Sequence, residues 1–126
     1  MGYTPYVDKD VYKKYSDVIT DEKQLEKSIR IASRHIDTLT YNRMVGKFDK
    51  LTDFQKELVQ EVICGLIDFE YENHDLITSV LQSYSINGVS MSFGQSWNVS
   101  VQGGVAIPTE LYSLLEQTGL CYRGLS

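Results

Sequence analysis

Thirty-four consecutive residues, Leu76 to Thr109, carry no Asp, Glu, Lys, Arg or His, in a chain that is otherwise rich in charge. Flexible charge-free linkers are Gly/Ser runs without apolar periodicity. This stretch alternates instead: Val89, Met91 and Phe93 with Ser90 and Ser92, then Trp97, Val99 and Val101 with Asn98 and Ser100. A period of two predicts half-buried strands. Asn87-Gly88, between Ile86 and Val89, suits a type I′ hairpin turn because both residues accept positive φ, and Gly103-Gly104 marks a second turn. Strands without Lys, Glu or Pro at their edges pair with any strand nearby. The hairpins are therefore expected to need another copy of the chain, with Tyr84, Ile86, Val89, Met91, Phe93, Trp97, Val99 and Val101 at the subunit interface.

The rest of the chain reads as helix. Residues 1–20 form a Tyr-rich arm in which Asp8 caps a short helix running toward Tyr15. Over 21–41, Leu25, Ile29, Ala32, Ile36 and Leu39 fall within an arc of roughly 80° at about 100° per residue. Asp21 with Gln24 resembles a capping box at its start. Lys23, Lys27, Arg30 and Arg34 take the opposite side as a basic row, and Lys27, Arg30 and Arg34 join the candidate interface. After a loop centred on Gly46, Thr52 and Gln55 open a second long helix that runs to about Asn73. Its apolar residues, from Phe54 to Phe69, spread over roughly 220°, wider than one core contact requires. Asp53, Glu57, Glu61 and Asp68 crowd the remainder.

A third helix is predicted over His74–Gln82 and a last one after Pro108, with Leu111, Leu114 and Leu115 inward. Gly119 would end that helix in a left-handed conformation, with Leu120 packing back. The expectation is a single mainly α (α+β) domain: a small bundle of about four helices with one or two β-hairpins between the third and last helix. Its parts are the arm (1–20), a helical core (21–82), a β-hairpin segment (83–107), the last helix (108–120) and a tail (121–126).

Net charge is −5, distributed as 0 over 1–20, +2 over 21–50, −6 over 51–82 and −1 over 83–126. A duplex-DNA reader carries a basic surface, which argues against tight nucleic-acid binding. A small DNA-binding regulator using the basic row is the lesser alternative. Cys64 and Cys121 match no zinc or redox spacing and read as idle thiols in a reducing compartment. No run of about 18 apolar residues and no signal peptide is visible, so no membrane partner is expected.

Catalytic chemistry finds no footing. Asp68, Glu70 and Glu72 alternate, and alternate helical residues point about 200° apart, so they form no carboxylate pair or metal site. The same geometry separates His35 from Asp37, while Asp75 beside His74 reads as a helix cap. There is no nucleophile motif, phosphate loop or dinucleotide fingerprint. The expectation is a non-enzyme with no cofactor and no metal. Two unlike charged faces on one chain suit a head-to-tail contact between copies.

Several segments in order, Ala32-Ser33-Arg34-His35-Ile36-Asp37, Leu51-Thr52-Asp53-Phe54-Gln55, Tyr84-Ser85-Ile86-Asn87-Gly88-Val89-Ser90 and Leu114-Leu115-Glu116-Gln117-Thr118-Gly119-Leu120, resemble the head–tail connector (head-completion adaptor) proteins of tailed bacteriophages and their prophages. The likeness spans Asp8 to Leu125. It implies a mainly helical subunit that forms a ring of about a dozen copies under the portal, with DNA passing through the lumen. The implied partners are further copies of itself, the portal protein and a tail-completion protein. The implied location is the virion's head–tail junction, reached from the host cytoplasm. On this likeness the charge-free segment meets neighbouring subunits, and Cys121, Tyr122 and Arg123 belong to a portal-contacting tail. An acidic wall lets duplex slide, so Asp53, Glu57, Glu61 and Asp68 are candidate lumen residues. Another virion assembly protein, such as a tail-completion subunit, is the alternative.

Overall fold

Residues 5–87 and 99–121 are described by the structure, a computed structural model. The chain order is α1 (Lys9–Tyr15), α2 (Glu22–Leu39), a 3₁₀ turn (Phe48–Lys50), α3 (Asp53–Glu72), α4 (His74–Asn87), β1 (Val99–Gln102), β2 (Val105–Pro108) and α5 (Thr109–Glu116). This is a mainly helical α+β bundle with one two-stranded antiparallel sheet, as the periodicities predict.

Local chemistry sets the helix starts. Asp8 caps α1 by accepting from the Val11 amide at 2.8 Å, and Asp21 caps α2 by accepting from Gln24 at 2.9 Å. Gln24 does not return the bond: its amide donates to Ser28. Thr52 and Gln55 complete a reciprocal box at α3, with bonds of 3.1 and 2.9 Å. The end of α2 is less conventional. The Asn42 amide donates to the Asp37 carbonyl at 2.8 Å and Tyr41 to Thr38 at 3.3 Å, the bonding of a Schellman motif. Tyr41, at φ 55°, occupies the left-handed position that glycine usually fills.

Helix α3 is the hub. It packs against α1, α2, α4, α5 and β2. Val59, Val62, Ile63, Leu66 and Ile67 are fully buried, each worth about 1.5–3 kcal/mol of transfer free energy. The stripe on α2 is buried as predicted, from Leu25 to Leu39. One member of the wide α3 arc departs from it: Phe54 is 59% exposed, at the edge of the arc and about 20° from the exposed Glu61 on the helix wheel.

The uncharged segment departs from expectation at its start. Helix α4 continues through Asn87, so Tyr84 and Ile86 are helical and no hairpin turn opens at Asn87. Ile77, Leu81 and Tyr84 recur at spacings of four and three in the sequence, and that helical period outweighs the local alternation. Val89, Met91, Phe93 and Trp97 lie outside the described residues.

The second hairpin forms as predicted. Val99 pairs with Pro108, Val101 with Ala106 and Gln102 with Val105, around Gly103 and Gly104 at φ 57° and 82°. Positive φ at both central positions is the requirement of a type I′ turn. Its inner strand needs no neighbour. Val105, Ala106 and Ile107 are buried in this chain's own core, while Val99 and Val101 are half-buried. The expectation that both hairpins depend on another copy therefore fails for β2. Pro108 ends β2 and stands at the N-cap of α5 rather than within its first turn. Gly119, at φ 77°, terminates that segment after a tight turn, and Leu120 packs back on the core.

Candidate functional site

Three surfaces gather the exposed charged and aromatic side chains of the fold. The first is the outer side of α2. Lys23, Lys27, Arg30 and Arg34 are all exposed there, because the residues that complement the buried stripe of a 3.6-residue helix must face away from it. Helix α1 lies beside them. Lys9 forms ion pairs with Glu26 at 3.1 Å and Glu22 at 3.8 Å. The hydrogen bond to Glu26 and then the Glu22 charge hold its ammonium above the usual lysine range. The acids flanking the basic row are thus engaged within the chain.

The second surface is the first half of α3. Asp53, Glu57 and Glu61 are exposed, as the sequence places them. At about 100° per residue, Phe54, Glu57 and Glu61 fall within an arc of roughly 60°, with the aromatic ring at the edge of the acidic row. Tyr15 of α1 borders this face. Burial first, then the acidic groups Cys64, Glu61 and Glu57, raise its hydroxyl pKa. Asp68 continues the row but does not share its role. Its carboxylate accepts a 2.5 Å hydrogen bond from the fully buried Tyr12, whose hydroxyl also accepts from the Ile19 amide at 3.1 Å. Burial, followed by the bond to Asp68, raises the Tyr12 pKa. Asp68, named with the candidate lumen residues, is half-buried and holds the arm through this bond.

The third surface is a cleft of about 530 Å³ between α2 and the α3–α4 junction. Gln24, Lys27, Ser28, Ile31 and His35 recur on one face of α2, and Glu70, Tyr71, His74, Ile77 and Thr78 stand opposite. A single residue, Asn73, separates the two helices on that side, its side-chain amide donating to the Phe69 carbonyl at 3.0 Å. At one end His35 Nδ1 meets Glu70 Oε2 at 2.5 Å. Ile31 and Tyr71 remain 41% and 48% exposed. The cleft escapes sequence reading, because spacing compares His35 and Glu70 only with neighbours on their own helices and says nothing of how α2 pairs with α3. The available signal was Ile31, an apolar residue beside the basic row and off the core stripe.

The remaining predicted residues separate. Val99 and Val101 lie on β1, where β2 and α5 are the packing partners, away from the α2 row. Cys121 is half-buried against the core rather than held out in a tail, and its thiol is pushed up to about 11 by burial and then by Glu116. Cys64 is buried in α3 and pushed up to about 12, again chiefly by burial. Both cysteines are free. Tyr122 and Arg123 lie outside the described residues. The segment before them is held from two sides: Gln55 donates to the Thr118 carbonyl at 2.9 Å and Arg43 to the Leu120 carbonyl at 3.0 Å.

Among the described residues no group of three or more His, Cys, Asp or Glu could hold a metal ion. No helix among them is long and apolar enough to cross a membrane. Compared with family models, curated proteins and solved structures, the chain finds no match.

Proposed function

We propose that this chain is a structural virion subunit, a ring-forming adaptor that joins the head portal of a tailed bacteriophage to its tail. The observation that carries the reading is the presence of two unlike exposed faces on one molecule, basic on α2 and acidic on α3. Two different complementary faces suit a head-to-tail contact, and such contacts close into rings or run on as filaments. Exposed ion pairs contribute about 0–1 kcal/mol each, so they fix orientation while apolar burial supplies the affinity. The order of segments shared with the connector family points the same way, and portal and tail-completion proteins are the partners it implies.

The acidic face has two competing roles, lining the DNA passage or meeting a neighbour. Phe54 at its edge favours the neighbour, because a bare phenyl ring gains by burial and gains nothing from a water-filled channel. Sedimentation velocity of the purified protein, with and without a portal assembly, tests the ring. The expected result is a closed oligomer in at least one of the two conditions. A monomer in both removes the proposal.

A further inference from the structure

We infer that the cleft between α2 and α4 is the receptor for the Phe54 face of a second copy. The inference rests on the ring reading above and names its contact. The cleft and the Phe54 face are complementary in charge, and each exposes apolar side chains. The cleft is concave, walled by the exposed Ile31 and Tyr71 and the half-buried Ile77, with Lys27 at its lip and Lys23 and Arg30 beyond. The only carboxylate among its lining residues, Glu70, is already held by His35. The α3 face presents the most exposed large apolar side chain among the described residues, Phe54, one turn before Glu57 and two before Glu61.

An aromatic anchor entering a partly apolar pocket, ringed by opposite charges, is the usual composition of a protein interface. Two polar side chains along the cleft have partners within the chain, Gln24 donating to Ser28 at 3.1 Å and Thr78 to the His74 carbonyl at 3.0 Å, so a phenyl ring entering there would leave neither unsatisfied.

A chain cannot fill its own cleft. Phe54 lies sixteen residues before Glu70 on the same helix, which at 1.5 Å per residue separates them by about 24 Å. The contact is therefore between molecules. Where each copy gives its Phe54 face to one neighbour and its cleft to another, the contact propagates, which is the connectivity a ring requires.

Two surface variants separate the halves of the contact. Ile31→Lys disables the cleft, and Phe54→Ser with Glu61→Lys disables the anchor. All three positions are exposed, so each variant is expected to melt with the wild type. Sedimentation velocity at subunit concentrations up to millimolar should show each variant monomeric by itself. Their mixture should give a one-to-one complex that grows no further, at least tenfold tighter than self-association of either variant. Thr78→Arg, on the opposite wall, should behave as Ile31→Lys does. A mixture that stays monomeric, or a single variant that assembles like the wild type, overturns the contact. If in that case the wild type still forms rings on a portal, the ring reading survives with a different interface. A wild type that is monomeric with and without portal ends both.

Discussion

Removing one oxygen atom, by Tyr12→Phe, should cost this protein a large share of its stability. The phenyl ring would stay fully buried, so the change isolates the hydroxyl. In the native chain that hydroxyl donates to Asp68 at 2.5 Å, accepts from the Ile19 amide at 3.1 Å, and has Ser16 Oγ at 3.2 Å. Without it the buried Ile19 N–H has no partner, a cost of about 1–3 kcal/mol. Asp68 also loses a charge-assisted bond, discounted to about 1 kcal/mol because the carboxylate is only half-buried and water can replace the donor. The sum is about 2–4 kcal/mol. For 126 residues the unfolding entropy is about 0.26 kcal/mol/K, so Tm should fall by about 8–15 °C. Circular dichroism melts and urea titrations measure this, with an unchanged m-value showing that the folded state keeps its compactness. Asp68→Asn should cost far less in the Tyr12→Phe background than in the wild type, since neighbours on one hydrogen bond are not additive. A Tm within 2 °C of wild type would refute the reasoning. Combined with rapid proteolysis near residue 15, that result would show the arm to be a separate unit rather than part of the core.

Two further outcomes follow from buried groups. Ser33 Oγ is buried with no hydrogen-bond partner, so Ser33→Ala should raise stability by about 0.5–1.5 kcal/mol, read as a higher urea midpoint; a loss would show that the hydroxyl is satisfied. The thiols should be inert at pH 8. With Cys64 raised from 9.0 to about 12, its native thiolate fraction is roughly a thousandfold below that of the unfolded chain. Cys121, raised from 9.0 to about 11, is roughly a hundredfold below. Folded-state pKa values above the unfolded ones stabilise the protein fully below pH 9, and that contribution is lost as pH rises through about 11 and 12. Native thiols that react with an aromatic disulfide as fast as in urea would contradict this.

What the sequence makes legible is whatever is local. Asp8, Asp21 and Thr52 cap the helices they precede because a capping side chain reaches only three residues ahead. The stripe of Leu25 to Leu39 and the Gly103-Gly104 turn are equally local. The misreadings begin where two local signals compete. Around Tyr84 and Ile86 a period of two overlaps a period near 3.6, and only α4's continuation from His74 decides between them. The end of α2 carries no glycine to announce it, since Tyr41 and Asn42 both adopt positive φ. Asp68 and Glu70 look like one solvated face until α1 and α2 are laid against α3. Their partners, Tyr12 and His35, are 56 and 35 residues away, beyond the reach of any spacing argument.

The same long-range pairings explain why the two candidate contact faces remain available. Internal partners consume the charges that would otherwise blur them: Asp68 goes to Tyr12, Glu70 to His35, and Glu22 and Glu26 to Lys9. What is left is a basic row without its flanking acids and an acidic row shortened to Asp53, Glu57 and Glu61. Each row is thereby closer to a single sign than the sequence alone suggests. Like-signed rows repel their own kind, so a copy meeting another basic row to basic row is disfavoured, and only the unlike pairing is attractive. In the proposed contact orientation would thus be set before any apolar side chain is buried. Phe54 and the cleft would supply the affinity, and the expected outcome of raising the salt concentration is a slower association with a smaller change in dissociation.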